Sequence, residues 1–120
     1  MQRLDLEKID KEISTFVNER DWDQFHSVKN LSMALTAEAS ELMEIFQWLK
    51  EEESNQIQQD MKKMLEVKDE VADIFIYLLR IVKKTGINIE EAILEKIKKN
   101  SLKYPVELAK GNSKKYTDLN

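Results

Sequence analysis

The chain has 120 residues, enough for one domain and too few for two. Two Gly, one Pro and no Cys among 35% charged residues argue against a turn-rich β-fold and exclude disulfides, zinc knuckles and a thiolate nucleophile. The net charge of −4 argues against a nucleic-acid binder, and the longest apolar run, IFIYLL (74–79), is far short of the roughly 20 residues a membrane span requires. The opening stretch, MQRLDLEKIDKEI, lacks the apolar core of a signal peptide, so a cytoplasmic protein is expected.

Four helices are predicted in chain order. The first covers residues 4–20, where Leu4, Ile9, Ile13, Phe16 and Val17 recur at helical spacing. A polar and aromatic break, DWDQFHSVKN, precedes a second helix over 28–50, which ends in an acidic turn, EEESNQ. The third spans 57–84 and stops at Thr85-Gly86, a C-cap pattern. The fourth follows Asn88, has Glu90 and Glu91 in its first turn, and ends before Tyr104-Pro105. The expected organisation is a helical domain over 1–104 and a tail over 105–120, either a short extra helix or a mobile flap.

Between positions 71 and 82 every residue is apolar or aromatic except Asp73 and Arg80. A helix apolar around most of its circumference must be covered on several faces. An oligomer is therefore expected; the alternative is that the other helices and the tail wrap it fully.

The informative anomaly is where the acids sit. Successive helical residues advance by about 100°. In the second helix Leu31, Leu35, Leu42, Ile45 and Leu49 define an apolar stripe; Glu38 falls in its middle and Glu41 on its border. In the third, Val67, Val71, Ile74, Leu78 and Ile81 make the stripe; Glu70 falls inside its margin and Asp73 flanks it beside Tyr77. A single i, i+3 acid pair is usually a solvated or salt-bridged pair, and Glu44, which points away from the stripe, illustrates this. Two pairs aimed at one core repel each other, and a hard divalent cation with oxygen preference relieves them. A di-iron carboxylate bundle fails as a rival, because it needs Glu-x-x-His motifs and the chain has only His26.

Glu38-x-x-Glu41 followed after 28 residues by Glu70-x-x-Asp73 resembles the signature of the MazG-like pyrophosphohydrolases. The context resembles their dCTP pyrophosphatase branch along nearly the whole chain. The stretches that carry the likeness are RDWDQFHSVKNLSMALTAEASELMEIFQW (20–48), KDEVADIFIYLL (68–79), KIKKNSLKYPVELAKG (96–111) and SKKYTDL (113–119). The resemblance implies an all-α, MazG-like four-helix bundle that is oligomeric, commonly a dimer of dimers (a homotetramer). It implies Mg²⁺ held by Glu38, Glu41, Glu70 and Asp73, and cleavage of a nucleoside triphosphate to monophosphate and pyrophosphate.

By matching position, Glu44 joins the acids as a substrate-dependent ligand or an outer acid. Glu41 and Glu44 are the candidate general bases, and Glu70 joins them as a catalytic candidate. Trp22, His26, Trp48 and Tyr77 match the base-binding residues, for which stacking and hydrogen bonding suit aromatic rings and imidazole; core packing is the alternative for the two Trp. Tyr77 beneath a deoxyribose would penalise a 2′-hydroxyl. Lys29, Asn30, Lys96, Asn100, Tyr104 and Lys115 match further substrate-binding positions, with Lys96, Asn100 and Tyr104 on one helix face. Lys29 and Lys103 stand where the family often carries Arg, and Lys lacks the bidentate fork for phosphate. The expected function is conversion of dCTP, and of modified cytosine nucleotides, to dCMP and pyrophosphate in control of the nucleotide pool. The rivals are a dUTP-type or broad-specificity pyrophosphohydrolase and a non-enzymatic helical adaptor.

Overall fold

The structure, a computed structural model, describes residues 1–119; the tail's last residue, Asn120, lies outside them. Among the described residues all regular structure is helical: α1 (Leu6–Glu19), α2 (Val28–Phe46), α3 (Glu51–Asn55), α4 (Met61–Thr85), α5 (Ile89–Lys103) and α6 (Val106–Ala109). The expected count of four is corrected to six, four long helices and two short ones. The acidic turn is itself helical, because the Lys50 backbone N–H donates to the Glu53 carboxylate at 3.0 Å. Three glutamates in its first turn also face the positive end of the helix. The expected third helix begins late: Ile57–Gln59 is a 3₁₀ turn, and Asp60 caps α4 by accepting from the Lys63 N–H at 3.1 Å.

The remaining boundaries follow side-chain caps. Asp5, Ser27 and Asn88 accept from Lys8, Asn30 and Glu91 N–H groups at the starts of α1, α2 and α5. α4 ends at Gly86, whose φ of +72° terminates the helix. The chain forms two compact units, Met1–Thr85 and the part from Gly86 on.

In the first unit α2 packs along α4 as the principal helix pair. Its buried apolar residues are few, Ile13 and Val17 of α1 and Leu31 of α2, and Arg80 of α4 is buried as well. Many large apolar residues stay exposed, including Met33, Met43, Trp48, Met61, Leu65 and Phe75. In the second unit, the Tyr104 ring meets Tyr116 edge to face at 6.3 Å, and the Lys103 ammonium lies 4.9 Å above the Tyr116 ring.

The end of α1 is a Schellman turn built without glycine. The Trp22 N–H reaches back to the Val17 carbonyl at 3.0 Å and the Asp21 N–H to Asn18 at 3.1 Å. Asp21 occupies the left-handed position, φ +53°, which a non-glycine residue holds only at a cost. The Gln24 amide donates to both its carboxylate and its carbonyl at 3.0 Å, fixing the turn. Asp21→Gly is expected to melt within about 1 kcal/mol of the parent, whereas β-branched Asp21→Val should lose roughly 1–2 kcal/mol in urea denaturation.

Candidate metal centre and adjoining cavity

Glu38 and Glu41 stand one turn apart on α2, and Glu70 faces them from α4. One carboxylate oxygen from each lies within 4.8 Å of the other two. Glu38 and Glu70 are half-buried and Glu41 is exposed, so the cluster has a closed floor and an open side. Glu38 Oε2 and Glu70 Oε2 are buried with no hydrogen-bond partner. Buried carboxylate oxygens without a donor are costly, and an ion is one of the few remedies. Three converging carboxylates with two orphaned oxygens suit a hard divalent cation, so the residues present fit the metal that the sequence implies.

Without a cation the cluster can only share a proton. The Glu70 carboxyl beside Glu38, followed by burial and by Glu41 and Asp73, pushes Glu38 up to about 7. Glu70 is raised as well: proton sharing with Glu38 pulls it down, but burial and the neighbouring Glu41 and Asp73 outweigh that. Asp73 is half-buried, close enough for its charge to act on both, yet outside the three-residue cluster.

Beside the cluster, Glu41, Glu44, Ile45, Glu66 and Glu70 line an open acidic cleft of about 430 Å³. Glu66, one turn before Glu70, was not singled out in the sequence. It lies on the α4 face only once α2 and α4 are registered against each other.

A second cavity, also about 430 Å³, lies between α1, the turn after it, and α4. Its walls are Ile13, Phe16, Val17, Trp22, Ile76 and Tyr77, and its polar groups are Glu12, His26 and Asp73. The structure thus brings Trp22, His26, Tyr77 and Asp73 together. Trp22 packs edge-on against Phe16 at 5.6 Å. His26 is held neutral, its pKa lowered first by burial and then by the nearby Arg80 and Lys84, and its Nδ1 is buried without a partner. Burial, and then the charges of Glu38 and Asp73, push the Tyr77 hydroxyl up, so it stays a donor. Glu12, Ile13, Phe16, Val17 and Ile76 are the lining residues that sequence reasoning did not assign to a site; the first sits on what reads as the solvated face of α1.

Other expected residues lie elsewhere. Trp48 is 88% exposed after α2 and does not line the cavity. Asn30 donates its side-chain amide to the Phe25 carbonyl at 3.0 Å, which ties α2 to the preceding turn. Lys29 is exposed. Lys96 and Asn100 share a face of α5, Tyr104 follows its last residue with non-helical backbone, and Lys115 precedes the 3₁₀ turn Tyr116–Asp118; all four belong to the second unit.

With this geometry in hand, the relatives are informative. The model of the MazG-like family matches residues 33–119. The dCTP pyrophosphatase 1 of Bos taurus is 39% identical over 114 residues, covering 95% of this chain and 68% of that protein. The dCTP pyrophosphatase 1 of Homo sapiens is 36% identical over 114 residues, covering 95% and 67%. The crystal structure of a pyrophosphatase from Archaeoglobus fulgidus superposes with a TM-score of 0.75 at 34% identity, over 88% of this chain and 96% of that one.

The raised Glu38 pKa makes the metal-free fold pH-sensitive. A folded-state value of about 7 against 4.5 unfolded means the folded protein holds the extra proton between those values. Its contribution to stability is complete below pH 4.5 and lost as pH rises through 7. In EDTA the melting temperature should fall from pH 5 to pH 8. Mg²⁺ should restore it at pH 8, by about 2.7 kcal/mol at a hundredfold excess over Kd, and do little at pH 5. Glu38→Gln should melt higher than the parent in EDTA at pH 8 and no longer respond to Mg²⁺.

Proposed function

Because the chain belongs to the MazG-like family, we propose that it is a Mg²⁺-dependent pyrophosphohydrolase that converts dCTP to dCMP and pyrophosphate. The observation that carries this reading is the Glu38–Glu41–Glu70 cluster, with two buried, unpartnered oxygens, beside an aromatic cavity that Asp73 also lines. The base identity comes from the relatives' names.

Glu38, Glu41 and Glu70 would hold the Mg²⁺, with Asp73 as the fourth ligand. When bound, the ion neutralises triphosphate oxygens and the charge that develops on them. Glu41 and Glu44, both exposed and lining the acidic cleft, would accept a proton from water. That water attacks the α-phosphorus; the bond from it to the α–β bridging oxygen breaks and pyrophosphate leaves. Glu70 holds its place in the cluster while Glu41 works.

Trp22 and Tyr77 offer ring faces for base and sugar, and neutral His26 offers one donor and one acceptor nitrogen to the base edge. Tyr77, on α4 one turn from Asp73, would close the space a 2′-hydroxyl needs. Trp48, Lys29, Asn30, Lys96, Asn100, Tyr104 and Lys115 enter the proposal through the resemblance of their stretches, as does closure of the tail from 105 over bound triphosphate.

We assign a homo-oligomer because α4 keeps Val71 and Phe75 exposed on faces apolar enough to be buried, with Met33 and Met43 of α2 exposed as well; its form, a dimer of dimers, enters through the family resemblance. We assign the reaction to the cytoplasm, which the cysteine-free composition fits without requiring it. Among the described residues no helix is long and apolar enough to cross a membrane.

Pyrophosphate release from dCTP, CTP, dUTP, dTTP, dATP and dGTP, with Mg²⁺ and with EDTA, tests the reading. Release led by dCTP, dependent on Mg²⁺ and reduced at least a hundredfold in Glu70→Gln, is expected, about 2.7 kcal/mol or more of lost transition-state stabilisation. Equal release from all bases would keep the metal centre and remove the cytosine assignment. No release from any nucleotide would leave a non-catalytic helical protein.

A further inference from the structure

We propose that Arg80 is a positioning residue that sets the geometry of the nucleotide-base cavity by clamping the turn which carries Trp22 and His26. The proposal rests on the assignment of that cavity to the base.

Arg80 interrupts the apolar stretch of α4, and its side chain is only 6% exposed. Its guanidinium donates to Asp23 Oδ1 at 2.8 Å, and the Lys84 ammonium reaches the same oxygen at 2.7 Å. Asp23 opens the 3₁₀ turn Asp23–Phe25, with Trp22 immediately before it and His26 immediately after. One carboxylate oxygen therefore pins the segment between α1 and α2 to α4. Tyr77, the opposing aromatic of the cavity, stands one turn before Arg80 on the same helix.

The arrangement is costly as a device for stability alone. A buried guanidinium loses several kcal/mol of hydration, roughly, and a well-packed apolar residue at such a site is often as stable or more so. Arg80 Nε is in addition buried with no partner, so even the clamp leaves a donor unsatisfied. An apolar residue would continue the pattern of α4 but would not fix the turn at a set distance. What the charge supplies is direction: two donors from α4 converge on one acceptor, where apolar packing would let the turn slide.

Other forces on the turn act locally and leave this freedom open. The Schellman bonds fix Trp22 relative to α1, and Asn30 fixes Phe25 relative to α2. Only the Asp23 clamp relates the turn to α4 through polar contacts, among the described residues. The same two cations also help keep His26 neutral, which leaves its ring with one donor and one acceptor.

The test compares Arg80→Met and Arg80→Lys in the full chain. Arg80→Met removes the charge while filling the space, and is expected to stay folded with a melting temperature close to the parent's. KM for dCTP should rise about tenfold with kcat within about twofold, the pattern of lost binding with the carboxylate cluster intact. Arg80→Lys, which still reaches toward Asp23, should recover most of the rise.

A second readout needs no turnover. With Trp48→Phe as background, Trp22 is the sole tryptophan, because the chain has two. Its emission without nucleotide should shift to the red in Arg80→Met and return in Arg80→Lys. Unchanged KM and unshifted emission in Arg80→Met would overturn the proposal and make Arg80 a space-filling residue. A loss of kcat at constant KM would overturn it too. If Arg80→Met fails to fold, Asp23→Asn, at an exposed carboxylate, carries the same comparison with a smaller rise expected. If the parent releases no pyrophosphate, the functional reading fails, while the Trp22 emission still decides whether Arg80 holds the turn.

Discussion

The repulsion among carboxylates at the contact of α2 with α4 is the constraint around which the first unit is arranged. These two helices make the main packing contact, yet half-buried Glu38 and Glu70 meet there where apolar side chains would pack. Each acid exerts its field on its neighbours through a medium less polar than water, which is why Glu38 binds a proton up to about 7. A protein selected only for stability would replace them with leucine. Their retention on facing helices is intelligible if the repulsion is held in reserve for a cation. The helices around them must then supply the cohesion that this contact forgoes.

That cohesion is thin within one chain. The buried apolar side chains are Ile13 and Val17 of α1 and Leu31 of α2, with Arg80 of α4 buried in the same unit. Phe75 and Val71 of α4 stay exposed, and so do Met33 and Met43 of α2. Apolar area left in water stabilises nothing until another surface covers it. The same helices therefore carry two features with a cost of their own, a cluster of carboxylates that a cation would relieve and apolar faces left in water.

Much of this was legible in the sequence. The 3.6-residue period located α1, α2 and α4, end signals at Asn88 and Tyr104-Pro105 located α5, and the position of Glu38 and Glu70 within apolar stripes pointed to the cluster. The period could not find α3, and α6 was open only as one of two alternatives for the tail, because helices of four or five residues complete barely a turn. Nor could it find Glu66, which looks like one more acid on a charged helix until α2 lies beside it. Glu12 and Phe16 escaped for a related reason: the cavity wall they form exists only where α1 passes α4, and sequence spacing on one helix carries no information about that crossing. Arg80 was visible as an interruption in an apolar run, but its partner, 57 residues earlier in the chain, was not.

One stripe of α4 nevertheless joins these parts. Glu70, Asp73, Tyr77, Arg80 and Lys84 follow one another at intervals of three and four, which places all five within a wedge of about 80° around the helix axis. Along about 21 Å of that wedge the chemistry changes in order, from carboxylates to a phenol to two cations. The cationic end lies near the helix C-terminus, where the backbone dipole favours positive charge. The acids stand farther back, where the dipole neither helps nor opposes them. Under the proposed function, a triphosphate with its cation would meet the first end, and the base the cavity walled by Tyr77 and by the turn that Arg80 and Lys84 grip. A single helix would then set the spacing between the two ends of the substrate. On that reading the separation of reacting and recognised groups follows backbone geometry at about 1.5 Å per residue along α4, and the clamped turn after α1 completes the base end.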